Sequence, residues 1–579
     1  MMSTDLGSFQ SEHVRVSKSL NESESKYVRE RKLKIEKCLQ NNGINCQEAD
    51  VPHIAVLASG GGERAMVGLL GCLDQMGQDN LLDSTLYLFG LSGSTWCMSL
   101  VYEDPVWSSN LSITKDKLIK RLTETSVEPI TIIRWLTEAI KLENYSMTDF
   151  GSAAAAYYYF KAVDRSRLSE QKQRDTTNPY PIYTATENGL KQRGLTADCW
   201  FEFSPHEAGY SHVGAFVDTS MFGSQFEAGV LKQKMEERDM LYLQGLCGSA
   251  LADGKENKEN IKQMIWDRIK VFFGQRSTTN NEMSSSKSAE LPVTEVASGV
   301  STVAVASHWR VPCDCQACTF INILLQIHDN PEDEFMLEKL RQFQTEISSQ
   351  GHPSVLILEK ETWKKMATEE RDKYLADLTK SLDGLFSGAC DVSAVGMKTL
   401  PVVYSWTWGT HSNFLFKYPA GEGKVPDMLL SAEHIYLEDA GFVINSPYVA
   451  ALRAERKVDL ILSFDFSAGD PFLTVNLAAE YCKESGIPFP PVDVPEEEKE
   501  NPKDFYVFKG EQGPTVIHMP LFNVVNCEGD VNKWRETYST FQLPFTREMI
   551  QDLLRVSSLN VANNKKRILE EIQAVCQRK

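Results

Sequence analysis

The apolar positions of the chain fall first into two strand–turn–helix units. His53-Ile54-Ala55-Val56-Leu57-Ala58 is a strand-like run. It is followed by Ser59-Gly60-Gly61-Gly62 and then by helical spacing from Arg64 to Met76. Leu86-Tyr87-Leu88-Phe89 repeats the arrangement: Gly90-Leu91-Ser92-Gly93-Ser94 makes the turn, and Thr95 to Tyr102 continues as an apolar helix. Two such units in succession predict an α/β fold, a sheet with helices on its faces.

Residues 110–175 then have helical spacing (Leu118, Leu122, Ile130, Ile133, Leu136), as a helical layer or cap would. Strand signals return at Pro179–Thr184, Trp200–Ser204 and Gly214–Val217, and again at Val402–Trp408, Ile435–Gly441, Val458–Phe466 and Val516–Phe522. The core is therefore assembled from both ends of the chain, and no repeat of fixed period is present.

Three stretches differ from this pattern. Residues 1–50 are polar and charged, with a helix over Tyr27–Gln40 whose charges predict a solvated face, and they read as an extension ahead of a catalytic domain spanning 51–575. Within 254–295, Ile261, Met264, Ile265, Trp266, Ile269, Phe272 and Phe273 align on one helix face, and Ser277–Ser288 is polar and of low complexity. Residues 329–395 read as a variable insertion of charged helices around one strand candidate, Val355–Leu358.

Composition narrows the function. The 579 residues are 42% hydrophobic and 10% aromatic, and no apolar run reaches the ~18 residues of a membrane span. A formal charge of −19 opposes nonspecific binding to nucleic acid and gives no general attraction to anionic membranes. The first residues carry neither a secretory signal nor a myristoylation glycine, which places the chain in the cytosol. Its 13 cysteines are then packed thiols. Cys313, Cys315 and Cys318 are as dense as a metal site, but four ligands are needed and no partner pair of suitable spacing follows, so no metal is expected. Cys576 lies four residues from the end without the aliphatic pair that prenylation requires.

The chemistry centres on Ser92. Gly90-Leu91-Ser92-Gly93-Ser94 reads as a nucleophile elbow, with Gly90 two places before the serine, Gly93 directly after it and Ser94 at the pattern's second glycine; small neighbours are required because the central residue is strained. Acyl transfer also needs donors for an oxyanion, and the backbone N–H groups of Gly60–Gly62, ahead of a helix N-terminus, can supply them. A nucleotide phosphate loop fits worse, since no Gly-Lys-Ser/Thr follows. Arg64 stands inside the helix start, where a cation favours a bound anion. The base is open on these grounds. His411 and His518 are the best-placed histidines, while Asp439 ends an apolar run before Ala440-Gly441, where a turn-capping carboxylate is expected.

Ser59-Gly-Gly-Gly-Glu-Arg-Ala-Met66, Gly90-Leu-Ser-Gly-Ser-Thr-Trp96, Trp200-Phe-Glu-Phe-Ser-Pro205, Leu437-Glu-Asp-Ala-Gly441 and Phe464-Asp-Phe-Ser-Ala-Gly-Asp-Pro471 closely resemble the catalytic domain of the group IV cytosolic phospholipases A2. The resemblance covers roughly 51–250 and 400–560. It implies a patatin-like α/β domain, a central mixed sheet with flanking helices and a helical cap or lid. In that domain a Ser/Asp dyad without histidine hydrolyses acyl esters of glycerophospholipids through an acyl-enzyme. By position it makes Ser92 the nucleophile, Asp439 the general base, Gly61 and Gly62 the oxyanion hole, and Arg64 the ligand of substrate phosphate, with no cofactor and no metal.

Only about 50 residues precede the first catalytic strand, too few for the calcium-binding C2 domain of the best-known members, which is a β-sandwich of ~100 residues. The architecture therefore resembles the family's calcium-independent gamma type, with lysophospholipase and transacylase activities as companions. The partner implied is a phospholipid membrane surface, met peripherally and transiently, with the helix over 261–273 as the expected contact; no nucleic acid partner is expected. A Ser/His/Asp esterase and a catalytically silent lipid-binding protein are the alternatives.

Overall fold

The computed structural model describes residues 13–248, 266, 313, 315–350, 358–386, 389–421, 424–540 and 544–579. The chain divides into two compact units, one of residues 1–127, 148–253 and 408–579, the other of residues 128–147 and 254–407.

The first unit is built on a 12-stranded sheet. Its strands are β1 (Val14–Val16), β2 (Ile54–Ala58), β3 (Tyr87–Leu91), β4 (Tyr180–Glu187), β5 (Trp200–Phe203), β6 (Glu207–Tyr210), β7 (Ala215–Asp218), β10 (Thr410–Ser412), β11 (His434–Asp439), β12 (Leu460–Asp465), β13 (Tyr506–Phe508) and β14 (Thr515–Pro520), while β8 (Gln225–Glu227) and β9 (Val230–Gln233) form a hairpin outside it. The path runs β1-β7-β6-β5-β4-β3-β2-β12-β14-β13, with β11 pairing β4 and β10 pairing β11. The centre, β4-β3-β2-β12-β14, is parallel. Every residue of β2, β3, β12 and β14 is buried, as in the centre of a parallel sheet covered on both faces. The sheet is thus mixed, parallel in the middle and antiparallel from β4 outward.

The N-terminal segment is more than an extension. β1 adds an edge strand against β7, and the helix Glu22–Asn41 turns Glu24, Val28, Arg31, Ile35, Cys38 and Leu39 inward. The stripe has helical spacing but starts before the expected Tyr27–Gln40 helix and carries the charges of Glu24 and Arg31. Both have polar partners. Arg31 donates to the carbonyls of Thr85, Thr176 and Thr177. Glu24 accepts from Arg456 Nε at 2.9 Å and from the Tyr87 hydroxyl at 3.0 Å. Arg456 also binds Glu202 at 2.7 and 3.0 Å, and Arg453 joins Glu202 at 2.6 Å.

The second unit is helical, with Pro129–Ala139, Gln316–Asp329, Glu334–Ser349, Lys360–Lys365, Thr368–Phe386 and Asp391–Tyr404 among its helices. Two expectations change here. Val402, Val403 and Tyr404, read as a strand, end the helix Asp391–Tyr404, and Trp406 then takes φ 51°. A short apolar run has no periodicity that separates the two states. Leu358 is buried outside any strand, while Val355–Ile357 lie outside the described residues. Of the helix expected at a lipid surface, only Trp266 is described. It is buried, stacked on His328 with ring centroids 3.6 Å apart and against Tyr404 at 5.1 Å, so it packs into its own unit. Phe272, Phe273 and the rest of 254–295 lie outside the described residues.

Candidate active site

Register brings the site together. β3 pairs with β4 as far as Leu91 opposite Thr184, and the next place along that edge of β4, Ala185, faces Asp439 of β11. β11 runs antiparallel to β4, so its last residue arrives where β3 leaves the sheet. Ser92 is the first residue after β3 and Asp439 the last of β11, and 347 residues of chain separation are closed by one step of a ladder.

Ser92 has φ 51° and ψ −129°, a strained conformation for a residue with a side chain, and the helix Gly93–Val101 starts directly behind it. The turn is held by contacts that leave no room. A Cβ on Gly90 would stand 2.3 Å from Met98 Sδ, and one on Gly93 would stand 1.9 Å from the Gly62 carbonyl oxygen. The elbow is therefore pressed against the backbone of the glycine loop. That loop joins β2 to the helix Glu63–Gln78, with Gly62 at φ 58°. Among the described residues the N–H groups of Gly61 and Gly62 have no acceptor, and they stand at a helix N-terminus whose dipole favours negative charge.

Asp439 is 1% exposed and Ser92 is 5% exposed. Asp439 Oδ1 accepts the Gly441 N–H at 2.9 Å, while Oδ2 is buried with no hydrogen-bond partner. Burial pushes the carboxyl up to about 7; the neighbouring Ser92 hydroxyl and the Gly441 N–H pull the other way, and Glu438 adds a small upward push. The serine is thus close enough to be felt, with the hydrogen bond between the two not closed. Catalytic contacts commonly tighten only once substrate is bound. A carboxylate with a pKa near neutrality and a vacant oxygen beside a strained serine can act as a base at physiological pH.

Both candidate histidines have partners other than the serine. His411 lies on β10, its Nε2 3.2 Å from the Tyr242 hydroxyl, and burial lowers its pKa to about 3. His518 lies on β14 with Nε2 at 2.7 Å from the Pro471 carbonyl, and burial lowers its pKa as well. Arg64 is buried, and its guanidinium donates to the carbonyls of Phe466 (2.7 Å) and Tyr538 (2.5 Å) and to Thr540 Oγ1 (3.2 Å). In this conformation it ties the glycine loop to two later segments. A Cβ on Gly61 would lie 2.9 Å from its Nη2, so the charge sits directly under the loop.

A family model described as the lysophospholipase catalytic domain matches residues 54–308. Cytosolic phospholipase A2 gamma of Mus musculus is 36% identical, over 96% of this chain and 91% of its own length. The chain belongs to the cytosolic phospholipase A2 family. Membership makes it a carboxylic-ester hydrolase. Cytosolic phospholipase A2 gamma of Homo sapiens is 34% identical over 98% of this chain and 97% of its own length. Among solved structures, human GIVD cytosolic phospholipase A2 superposes with a TM-score of 0.63 at 21% identity, covering 98% of this chain and 68% of that one, which shows the common fold.

Three positioning groups of this family member were not singled out by the sequence pattern. Asn445 donates to Gly60 O (3.3 Å) and Ser467 Oγ (3.0 Å), Ser59 Oγ accepts the Phe466 N–H (2.7 Å), and Glu438 binds Lys191 and Asn188 beside Asp439. Ser59 is signalled only by adjacency to the glycine loop and Glu438 by adjacency to Asp439, while Asn445 is next to neither. The three clustered cysteines of the sequence gain a fourth neighbour in the fold: Cys313, Cys315, Cys318 and Cys390 place their sulfurs within 4.8 Å of one another.

Proposed function

We propose that the protein hydrolyses fatty acyl esters of glycerophospholipids and lysophospholipids through a dyad of Ser92 and Asp439. The observation that carries this reading is the vacant, buried Oδ2 of Asp439 beside a serine at φ 51°. Asp439 takes the Ser92 proton as Oγ attacks the ester carbonyl. Gly61 and Gly62 N–H groups hold the oxyanion, and the Arg64 charge beneath the loop favours the same negative species. Collapse breaks the ester C–O bond, Asp439 returns the proton to the leaving alkoxide, and an acyl-Ser92 remains. Water then releases the fatty acid, or a lysophospholipid hydroxyl takes the acyl group, which is transacylation.

Nucleophile, base and oxyanion donors are all protein groups, so the reaction as drawn is calcium-independent. The substrate lies in a bilayer, so the protein works from the cytosol by transient, peripheral contact with membranes. The engagement of His411 and His518 elsewhere favours this over a Ser/His/Asp esterase. A fluorophosphonate probe, the inhibitor class held by a solved GIVD relative, tests the reading against a silent lipid-binding protein. Stoichiometric labelling at Ser92, lost in Ser92→Ala and retained with excess chelator, is expected; a folded wild type that does not label contradicts it.

A further inference from the structure

The four cysteines brought together in the helical unit have no place in ester hydrolysis. Cys318 and Cys390 sulfurs are 3.6 Å apart, those of Cys315 and Cys390 are 3.9 Å apart, and all four lie within 4.8 Å. None of the four is in a disulfide. A tetrahedral zinc ion with Zn–S bonds of about 2.3 Å sets sulfur–sulfur edges of about 3.8 Å. The 3.6 and 3.9 Å spacings match that edge, and all four sulfurs gather about one point, as a ligand cage requires.

The backbone around the cluster suits thiolates. Cys315 is the N-cap of Gln316–Asp329 and its sulfur accepts the Cys318 N–H at 3.5 Å. Cys390 is the N-cap of Asp391–Tyr404 and its sulfur accepts the Ser393 N–H at 3.3 Å. Two helix N-termini therefore face one group of sulfurs, and each supplies both an N–H donor and a favourable dipole. Four sulfur donors are enough to fill a tetrahedral ion's positions and leave none for water, which is the donor set of a structural site rather than a catalytic one.

We propose that Cys313, Cys315, Cys318 and Cys390 bind a structural zinc ion. The four thiols give up their protons as they coordinate, and no electron is transferred. The ion joins the starts of two helices across a chain separation of 75 residues, so the segment containing Glu334–Ser349, Lys360–Lys365 and Thr368–Phe386 is closed at its base. Because such a site is assembled only by the folded chain, bound zinc stabilises this unit.

The test is metal analysis of the full-length protein, purified under reducing conditions without chelator and desalted after zinc addition. One zinc ion per chain is expected, and Cys390→Ser should weaken zinc retention against a competing chelator by at least about tenfold, whereas Cys46→Ser should leave it unchanged. Should Cys390→Ser fail to fold, cobalt exchange into wild type decides: the intense visible bands of a tetrahedral thiolate–cobalt centre support the site. Wild type with no retained zinc and no such bands, iron in place of zinc, or two disulfides among these cysteines would each overturn the assignment.

Discussion

Gly93 meets Gly62 so closely that a Cβ on Gly93 would stand 1.9 Å from the Gly62 carbonyl oxygen and 2.7 Å from its nitrogen. The elbow that presents Ser92 and the loop assigned to the oxyanion are thus fixed against each other by backbone. Gly93→Ala must part them, since the obstacle is not a flexible side chain. The expected result is a loss of kcat on the order of 100-fold, with destabilisation of about 1–3 kcal/mol, read by fatty-acid release and thermal melting. Retention of wild-type kcat would show that the separation of elbow and loop is unimportant.

The raised pKa of Asp439 makes two pH predictions of opposite sign. As a base it must be ionised, so kcat/KM should rise with pH through about 7 and then level. Stability runs the other way. The unfolded chain releases this proton near the ordinary carboxylate pKa, the folded chain only near 7, so the fold weakens between those values and the ionised group costs roughly 4 kcal/mol above them. Asp439→Asn, which keeps an oxygen for the Gly441 N–H, should therefore be more stable than wild type at pH 8, by a margin that vanishes toward pH 4. Urea midpoints at the two pH values measure this; a less stable Asn variant at pH 8 would contradict the burial argument.

The charges of the N-terminal helix predict a sharp contrast between its two faces. Glu24→Ala leaves buried Arg456 without one of its two carboxylates and should destabilise by roughly 3–5 kcal/mol. Lys26→Ala breaks only an exposed i,i+4 pair with Glu30 and should change stability by less than about 0.5 kcal/mol. Equal shifts in the urea midpoint would return residues 1–50 to the status of an extension.

How much was legible in the sequence follows from how local each signal is. The elbow at Ser92 and the glycine loop are strand–turn–helix patterns within a dozen residues, and both stand where the pattern puts them. Asp439 is different. Its residue pattern reads as a turn cap, and its carboxylate does cap Gly441; the proximity to Ser92 comes from the register of β11 on β4, which no local pattern encodes. Only resemblance over several motifs singled it out. Cys390 illustrates the same limit, lying 72 residues beyond Cys318 with no spacing rule to join them. Arg31 departs from the expected solvated face of Tyr27–Gln40, and the helix itself starts earlier so as to bury Glu24, because burial of a charge depends on a partner elsewhere in the fold, here three carbonyls for one and Arg456 for the other.

The central claim is that an aspartate, not a histidine, activates Ser92. Its most direct test is fatty-acid release from phosphatidylcholine vesicles in excess chelator, comparing wild type with folded Asp439→Ala and with His518→Gln and His411→Gln. The account predicts an active wild type, loss of on the order of 1,000-fold in Asp439→Ala, and kcat within a few-fold of wild type in both histidine variants. An active Asp439→Ala, or a histidine variant that is folded and dead, would contradict it.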